Sequence, residues 1–178
     1  MTPRDDISVD TLRQLLECDA LAGKLFWRPR PLEMFPDSRA AKSWNTRYAG
    51  SDAGHQRHDG YWTVRIFGRG YLQHRVIWAM CHGEWPEEEI DHISTDPSDN
   101  SIKNLRVATR SLNEANKRLR ADNPSGAKGV RKIGRRWAAR IRKDGRDIHI
   151  GYFDTIDQAS AAYAETASVL FGEFSRSP

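Results

Sequence analysis

The chain has 178 residues, 38% hydrophobic and 29% charged, with a formal net charge of +4. That length holds one ordinary domain or two small ones, and the motifs fit two. Cys18 and Cys81 are the only cysteines and lack metal-type spacing, which argues against a disulfide framework and a cysteine zinc cluster and suits a reducing cytoplasm. No apolar run reaches membrane-spanning length, and Met1 to Asp6 lacks the basic and apolar regions of a signal peptide, so the expectation is a cytoplasmic protein with no membrane partner. Positive charge is concentrated, because residues 103–146 hold fifteen Lys or Arg against three acids. Such a local surplus is what phosphate neutralisation requires, and it would make binding strongly salt-dependent.

In chain order, Ser8 or Asp10 caps a short helix over residues 8–18, with Leu12, Leu15 and Leu16 as its apolar face. Gly23 to Arg28 reads as a strand, and Pro29 to Asn45, with three prolines, as an irregular loop. His55, Gln56, Arg57 and His58 read as an exposed polar turn. Gly60 to Phe67 alternates like a strand, and Gly68-Arg69-Gly70 turns it back into Tyr71-Leu72-Gln73 to make a hairpin. A helix from Arg75 to His82 follows, begun by His74 and ended by Gly83. Glu84 and the run Glu87 to Glu89 read as solvated charges that point away from any phosphate path.

Glu89 to Ile93 then forms a short strand, Ser94 to Asn100 is dense in turn formers, and Leu105 to Thr109 reads as the returning strand. Ser111-Leu112-Asn113-Glu114 has the pattern of a capping box opening a helix that runs to about Arg120. Asp91 and His92 close the first strand, and Asn104 and Asn113 follow twelve and twenty-one residues after the histidine. From the first helical turn Asn113 can lean back to the Asp91 carboxylate. Two oxygen ligands with nothing soft among them suit one hard divalent cation, Mg²⁺ or Mn²⁺, and leave His92 to act as a base. Asn116, one turn beyond Asn113, and His74 are candidates for a phosphate contact, against a solvated face for the first and a structural hydrogen bond for the second.

Ala121 to Ala127 has linker composition. Beyond it, residues 128–133, 137–142 and 147–152 are strand-like, Lys143-Asp144-Gly145-Arg146 carries an Asp-Gly hairpin signal, and Thr155-Ile156-Asp157-Gln158 opens a helix running to about Phe171. Alternation gives the sheet one basic face, carrying Arg140 and Arg142, and one face for the helix. Trp137 is assigned to the core or the sheet edge.

The order and spacing of Asp91, His92, Asn104 and Asn113, with Tyr71 to Trp78 and Gly83 to Pro86 upstream, resemble the HNH (ββα-metal) endonucleases, in particular the phage-type homing and nicking enzymes whose third signature residue is Asn. The resemblance covers residues 60–120. It implies that Asp91 and Asn113 hold the metal, that His92 is the general base, and that Asn104 fixes the loop so that His92 points correctly. The chain lacks the founding pattern's final His and the paired Cys-x-x-Cys motifs of some zinc-binding relatives, which disfavours zinc. The last module resembles the APETALA-two (ethylene-response-factor) DNA-binding domain in Lys128 to Arg131, Trp137 to Arg142, Ile150 to Thr155 and Ala159 to Tyr163. By that resemblance the sheet lies in the major groove, and Lys128, Arg131, Arg140, Arg142, His149 and Tyr152 stand where the family touches DNA. His149 replaces the usual Trp and Arg140 the usual Glu, so the family's target sequence does not transfer.

The resulting expectation is an α+β chain: a ββα-metal nuclease unit with an N-terminal helix and hairpin extension over residues 1–120, a linker over 121–127, and a small three-stranded antiparallel sheet packed on one helix over 128–178. Its expected function is metal-dependent hydrolysis of phosphodiester bonds in duplex DNA, with one strand nicked per site, 5′-phosphate and 3′-hydroxyl ends, and homing-type behaviour. The protein would be a monomer or weak dimer, phage-encoded and acting in a bacterial host cell. The competing readings are a DNA-binding regulator on an inactive nuclease scaffold, which the intact signature residues argue against, and an RNA-directed or structural nucleic-acid-binding protein.

Overall fold

The computed structural model describes residues 5–119 and 122–176. The chain mixes helix and sheet and divides into two compact units, residues 1–107 and 108–178.

In the first unit, Ser8 caps α1 (Val9–Leu15) by accepting from the Thr11 amide. The helix ends earlier than the apolar pattern suggested, because Leu16 starts β1 (Leu16–Asp19), which pairs antiparallel with β2 (Lys24–Trp27), Leu16 opposite Trp27. The proline-rich stretch expected to be irregular contains a helix, α2 (Ser38–Tyr48), capped by Asp37, whose side chain accepts from the Ala40 amide. Tertiary contacts hold it. The Asn45 amide bonds both backbone groups of Arg30 at 2.9 Å, and the Arg30 guanidinium lies 4.1 Å above the Trp44 ring.

Strands β3 (His55–Gln56), β4 (Trp62–Ile66) and β5 (Arg69–Leu72) form an antiparallel sheet in that order. The β4–β5 turn is Phe67-Gly68 rather than Gly68 to Gly70. Both turn residues have positive φ, 48° and 76°, the two-residue geometry that follows strand twist. Helix α3 (Gln73–His82) follows and stops at Gly83 in the left-handed conformation. Leu12, Leu15, Leu16, Val64, Ile66, Val76 and Ile77 are fully buried and form the unit's core.

Arg75 of α3 is also buried. Its guanidinium donates to the Pro86 carbonyl at 2.8 Å, to the Glu88 carbonyl at 2.7 Å and to the Asp5 carboxylate. A buried cation keeps this geometry because losing any partner strands its charge. It thereby fixes the approach to β6 (Glu89–His92), which is hydrogen-bonded to β7 (Leu105–Ala108).

The division at 107/108 falls ahead of α4 (Arg110–Asn116) because Leu112 and Ala115 join the second unit's core with Ile141, Tyr163 and Phe171. Thr109 caps this helix, accepting from the Leu112 amide. The expected cap, Ser111, instead uses its hydroxyl to accept from the Asp144 amide at 3.0 Å. The helix stops at Asn116, and the Lys128 ammonium donates to the carbonyls of Ala115 and Lys117. The expected helix end at Arg120 and linker start at Ala121 lie outside the described residues. The rest of the linker stretch is a hydrogen-bonded turn, with Asn123 Oδ1 accepting from the Ser125 amide at 2.9 Å.

Strands β8 (Val130–Ile133), β9 (Arg136–Lys143) and β10 (Arg146–Phe153) form an antiparallel sheet with β9 central. Asp144-Gly145 makes the β9–β10 turn, with φ of 48° and 78°. Helix α5 (Ile156–Phe171), opened by a complete Thr155/Gln158 capping box, packs on the sheet through Ala159, Tyr163 and Ala167. Among the described residues no helix is long and apolar enough to cross a membrane.

Gly129 leads into β8 at φ +69°, and a Cβ there would lie 2.2 Å from the Tyr163 ring and 2.4 Å from the Arg140 carbonyl. Neither neighbour can move without disturbing the helix–sheet packing. Gly129→Ala is expected to destabilise the second unit by at least about 2 kcal/mol. Urea titration followed by circular dichroism checks this, and an unchanged midpoint would refute the packing argument.

Candidate active site and basic sheet face

Successive residues of a strand point to opposite sides, so Asp91 and His92 diverge at the end of β6. Both are buried, at 4% and 5% exposure. Asp91 Oδ2 accepts from Arg106 Nε of β7 at 2.9 Å. His92 lies on the other side, with Nε2 3.0 Å from Asn100 Oδ1 and its ring edge-on to His74 and Tyr61, at centroid distances of 5.0 and 5.9 Å.

Asn104 precedes β7 and spans the loop that follows His92. Its Oδ1 accepts from the Ser94 amide at 2.9 Å and its Nδ2 donates to the Asp99 carbonyl at 2.7 Å. Its backbone carbonyl accepts from the Ile93 amide at 2.9 Å, so one residue bonds to both ends of the loop. Asp99 then caps the Ser101 amide at 3.1 Å, and the loop closes through its own polar side chains.

The first unit thus holds Asp91 and His92 at the end of β6 and Asn104 across the loop that follows. Asn113 and Asn116 stand on α4, in the second unit, and Asn116 is buried rather than part of a solvated face. His74 is 4% exposed, and its Nδ1 has no hydrogen-bond partner among the described residues. Its ring packs against that of His92, with the centroids 5.0 Å apart. Desolvation, with smaller contributions from His92 and Arg75, pushes its pKa down to about 3. Two residues of this cluster went unread in the sequence. Arg106 could have been found as the basic residue of the strand returning past Asp91, whereas Asn100 carried no mark beyond its turn-forming type.

Among the described residues no group of three or more His, Cys, Asp or Glu is placed to hold a metal ion. The hard oxygen donor at the end of β6 is the Asp91 carboxylate. That chemistry fits a hard cation that takes one or two protein oxygens and fills its remaining positions with water and phosphate oxygens, and does not fit a zinc cage.

In the second unit, register decides which side chains share a face. Arg140 pairs with His149, Arg142 with Asp147, and Arg131 with Ala138, which pairs in turn with Tyr152. Arg131, Arg136, Arg140, Arg142, His149 and Tyr152 are all exposed on the side away from α5. The His149 and Tyr152 rings are 4.7 Å apart. Lys128 stands apart from this set, because its ammonium is committed to the end of α4 and desolvation lowers its pKa. Arg136, which the sequence reading passed over, joins the face and donates to the Tyr152 carbonyl at 3.3 Å. Trp137, on the opposite face, is half-buried beside Val130, Ala139 and Phe153.

Residues 71–115 match a family model described as HNH endonuclease, a stretch that contains Asp91, His92, Asn104 and Asn113. Over 117 residues the chain is 36% identical to a protein of Acanthamoeba polyphaga mimivirus named "Uncharacterized HNH endonuclease L560", an alignment covering 65% of this chain and 60% of that protein. It is also 28% identical over 117 residues to Protein 3.8 of Escherichia phage T7, covering 64% of this chain and 96% of the phage protein. The chain thus spans less than two thirds of the mimivirus protein's length. No solved structure matches. The family match stops short of the β8–β10 sheet.

The buried His74 makes stability depend on pH. Its pKa in the folded chain, about 3, lies below the ordinary 6.5, so between these values the unfolded chain binds more protons and stability rises with pH. The contribution is complete above pH ~6.5 and is lost on acidification towards pH 3. Lowering the pH from 7.5 to 5 should cost about 2 kcal/mol through this residue. Urea unfolding of wild type and His74→Gln at both pH values measures it, and an equal pH dependence in the two proteins would contradict the assignment.

Proposed function

We propose that this chain is a metal-dependent DNA endonuclease that hydrolyses a phosphodiester bond at the end of β6 and binds duplex through the basic face of the β8–β10 sheet. The observation that carries this reading is the clustering of Asp91, His92 and Asn104 around one loop within the stretch that matches the HNH model.

His92 acts as general base. It takes a proton from the attacking water as the new oxygen–phosphorus bond forms, and the bond to the 3′ oxygen breaks, that oxygen taking a proton from solvent water, which leaves 5′-phosphate and 3′-hydroxyl ends. Asp91, with Asn113 from α4, would hold one Mg²⁺ or Mn²⁺. When bound, that ion offsets the charge that builds on the scissile phosphate and the departing oxygen. Arg106 orients the buried Asp91 carboxylate, with Nε 2.9 Å from Oδ2. Asn104 holds the loop so that the His92 ring keeps its direction.

Arg131, Arg140, Arg142, His149 and Tyr152, joined by Arg136, supply phosphate and base-edge contacts of the kind an APETALA-two type sheet makes in the major groove. Lys128 serves the fold rather than the DNA. One chain carries one site, so the expected product is a nick, and a double-strand break requires two events. Homing-type mobility in a phage or viral setting fits a nuclease that carries its own DNA-binding module, and the acting protein is a monomer or weak dimer in the host cytoplasm.

Relaxation of supercoiled plasmid tests the metal and the site together. Wild type should nick in Mg²⁺ or Mn²⁺ and stop in EDTA, and Asp91→Ala should be at least about 100-fold slower. Cleavage in EDTA, or by Asp91→Ala at the wild-type rate, would sink the metal assignment. Arg140→Ala/Arg142→Ala should weaken duplex binding and reduce the slope of log affinity against log salt by about 2. An unchanged slope would remove the sheet from the DNA interface.

A further inference from the structure

Gln73 of α3 and Asn100 of the loop line one cavity of about 90 Å³ in the first unit. Gln73 Nε2 donates to the Gly23 carbonyl at 3.1 Å. A carbonyl only accepts, so this bond fixes which way the Gln73 amide faces. Gln73 Oε1 and Asn100 Nδ2 are both buried without a hydrogen-bond partner among the described residues. One requires a donor and the other an acceptor, and a water in a cavity of this size serves both. With Nδ2 facing the cavity, Asn100 presents Oδ1 to His92 Nε2 at 3.0 Å.

The backbone holds Asn100 there. The Ile102 amide donates to the Ala20 carbonyl at 2.8 Å, and a Cβ on Gly23 would lie 2.4 Å from the Asn100 carbonyl carbon and the Ser101 nitrogen. The β1–β2 turn therefore seats this segment directly against its own backbone. Asn100 itself is 2% exposed, so its amide exchanges no bonds with bulk solvent.

We propose that Asn100 is a positioning residue for His92, fixing the neutral imidazole as the Nε2–H tautomer so that Nδ1 is the atom that takes the proton from water. This rests on the nuclease reading above. An amide oxygen accepts only, so Nε2 must donate to it, and a neutral ring then carries its lone pair on Nδ1. The same bond survives proton uptake, because both ring nitrogens of the imidazolium donate. A reversed amide would set Nδ2–H against Nε2–H at that moment and oppose the transfer. Gln73 and the β1–β2 turn act through Asn100.

Nitrogen-15 NMR of histidine-labelled full-length protein reads the tautomer without reference to cleavage. Wild type and Asn100→Asp, which keeps an acceptor, should show Nε2–H at His92, whereas Asn100→Leu should lose that preference. Cleavage by Asn100→Asp should stay within about 10-fold of wild type and that of Asn100→Leu should fall about 100-fold or more, with duplex binding and circular dichroism unchanged. An Nδ1–H tautomer in wild type, or Asn100→Leu cleaving as wild type does, overturns the proposal. A wild type with Nε2–H that cleaves no DNA supports the tautomer assignment and overturns the nuclease reading alone.

Discussion

The burial of two adjacent polar residues, Asp91 and His92, at the end of β6 is the constraint on which the first unit depends. A strand sends them to opposite sides, so neither can satisfy the other, and each needs its own partner inside the protein. Arg106 meets the carboxylate and Asn100 meets the imidazole. Asn100 lies in the loop and Arg106 on the strand that returns from it, so folding the loop correctly and satisfying the two buried groups are one event. Asn104, bonded to both ends of the loop, and Arg75, bonded to the chain leading into β6, close the same arrangement from either side. The chemistry proposed for the site uses the rigidity that burial already requires.

The second unit solves a different problem. A three-stranded sheet with one helix has one face to bury, and α5 covers it through small residues, Ala159 and Ala167, together with Tyr163. The other face is left to solvent and is dominated by arginine. Like charges side by side repel, which costs stability unless a ligand of opposite sign covers them, and a polyanion does so with release of its counterions. Asp147 opposite Arg142 relieves part of that repulsion within the sheet. Lys128 stands apart from that face, with its ammonium donating to the carbonyls that end α4.

Much of this was legible in the residues, for reasons that differ by element. The β9–β10 turn and the α5 cap were readable because Asp-Gly and Thr-x-x-Gln encode their geometry locally. The end of α3 was readable because Gly83 alone permits the left-handed conformation there. Helix α2 was hidden because three prolines precede or interrupt its approach, while the forces that form it, the Trp44–Arg30 stack and the Asn45 clamp, join residues that sequence order does not connect. The α4 cap was misplaced by two residues because Ser111 is engaged by the distant Asp144 amide, leaving Thr109 to cap. Asp91, His92 and Asn104 stood out by spacing, whereas Asn100 is visible only once the fold places its amide between His92 and the Gln73 cavity.

The central claim is that the imidazole held in this polar enclosure removes a proton from water during DNA hydrolysis. Single-turnover relaxation of supercoiled plasmid by His92→Ala, with metal and protein in excess, tests it directly. The account predicts a rate at least about 100-fold below wild type with DNA affinity retained. Cleavage by His92→Ala at the wild-type rate would contradict it.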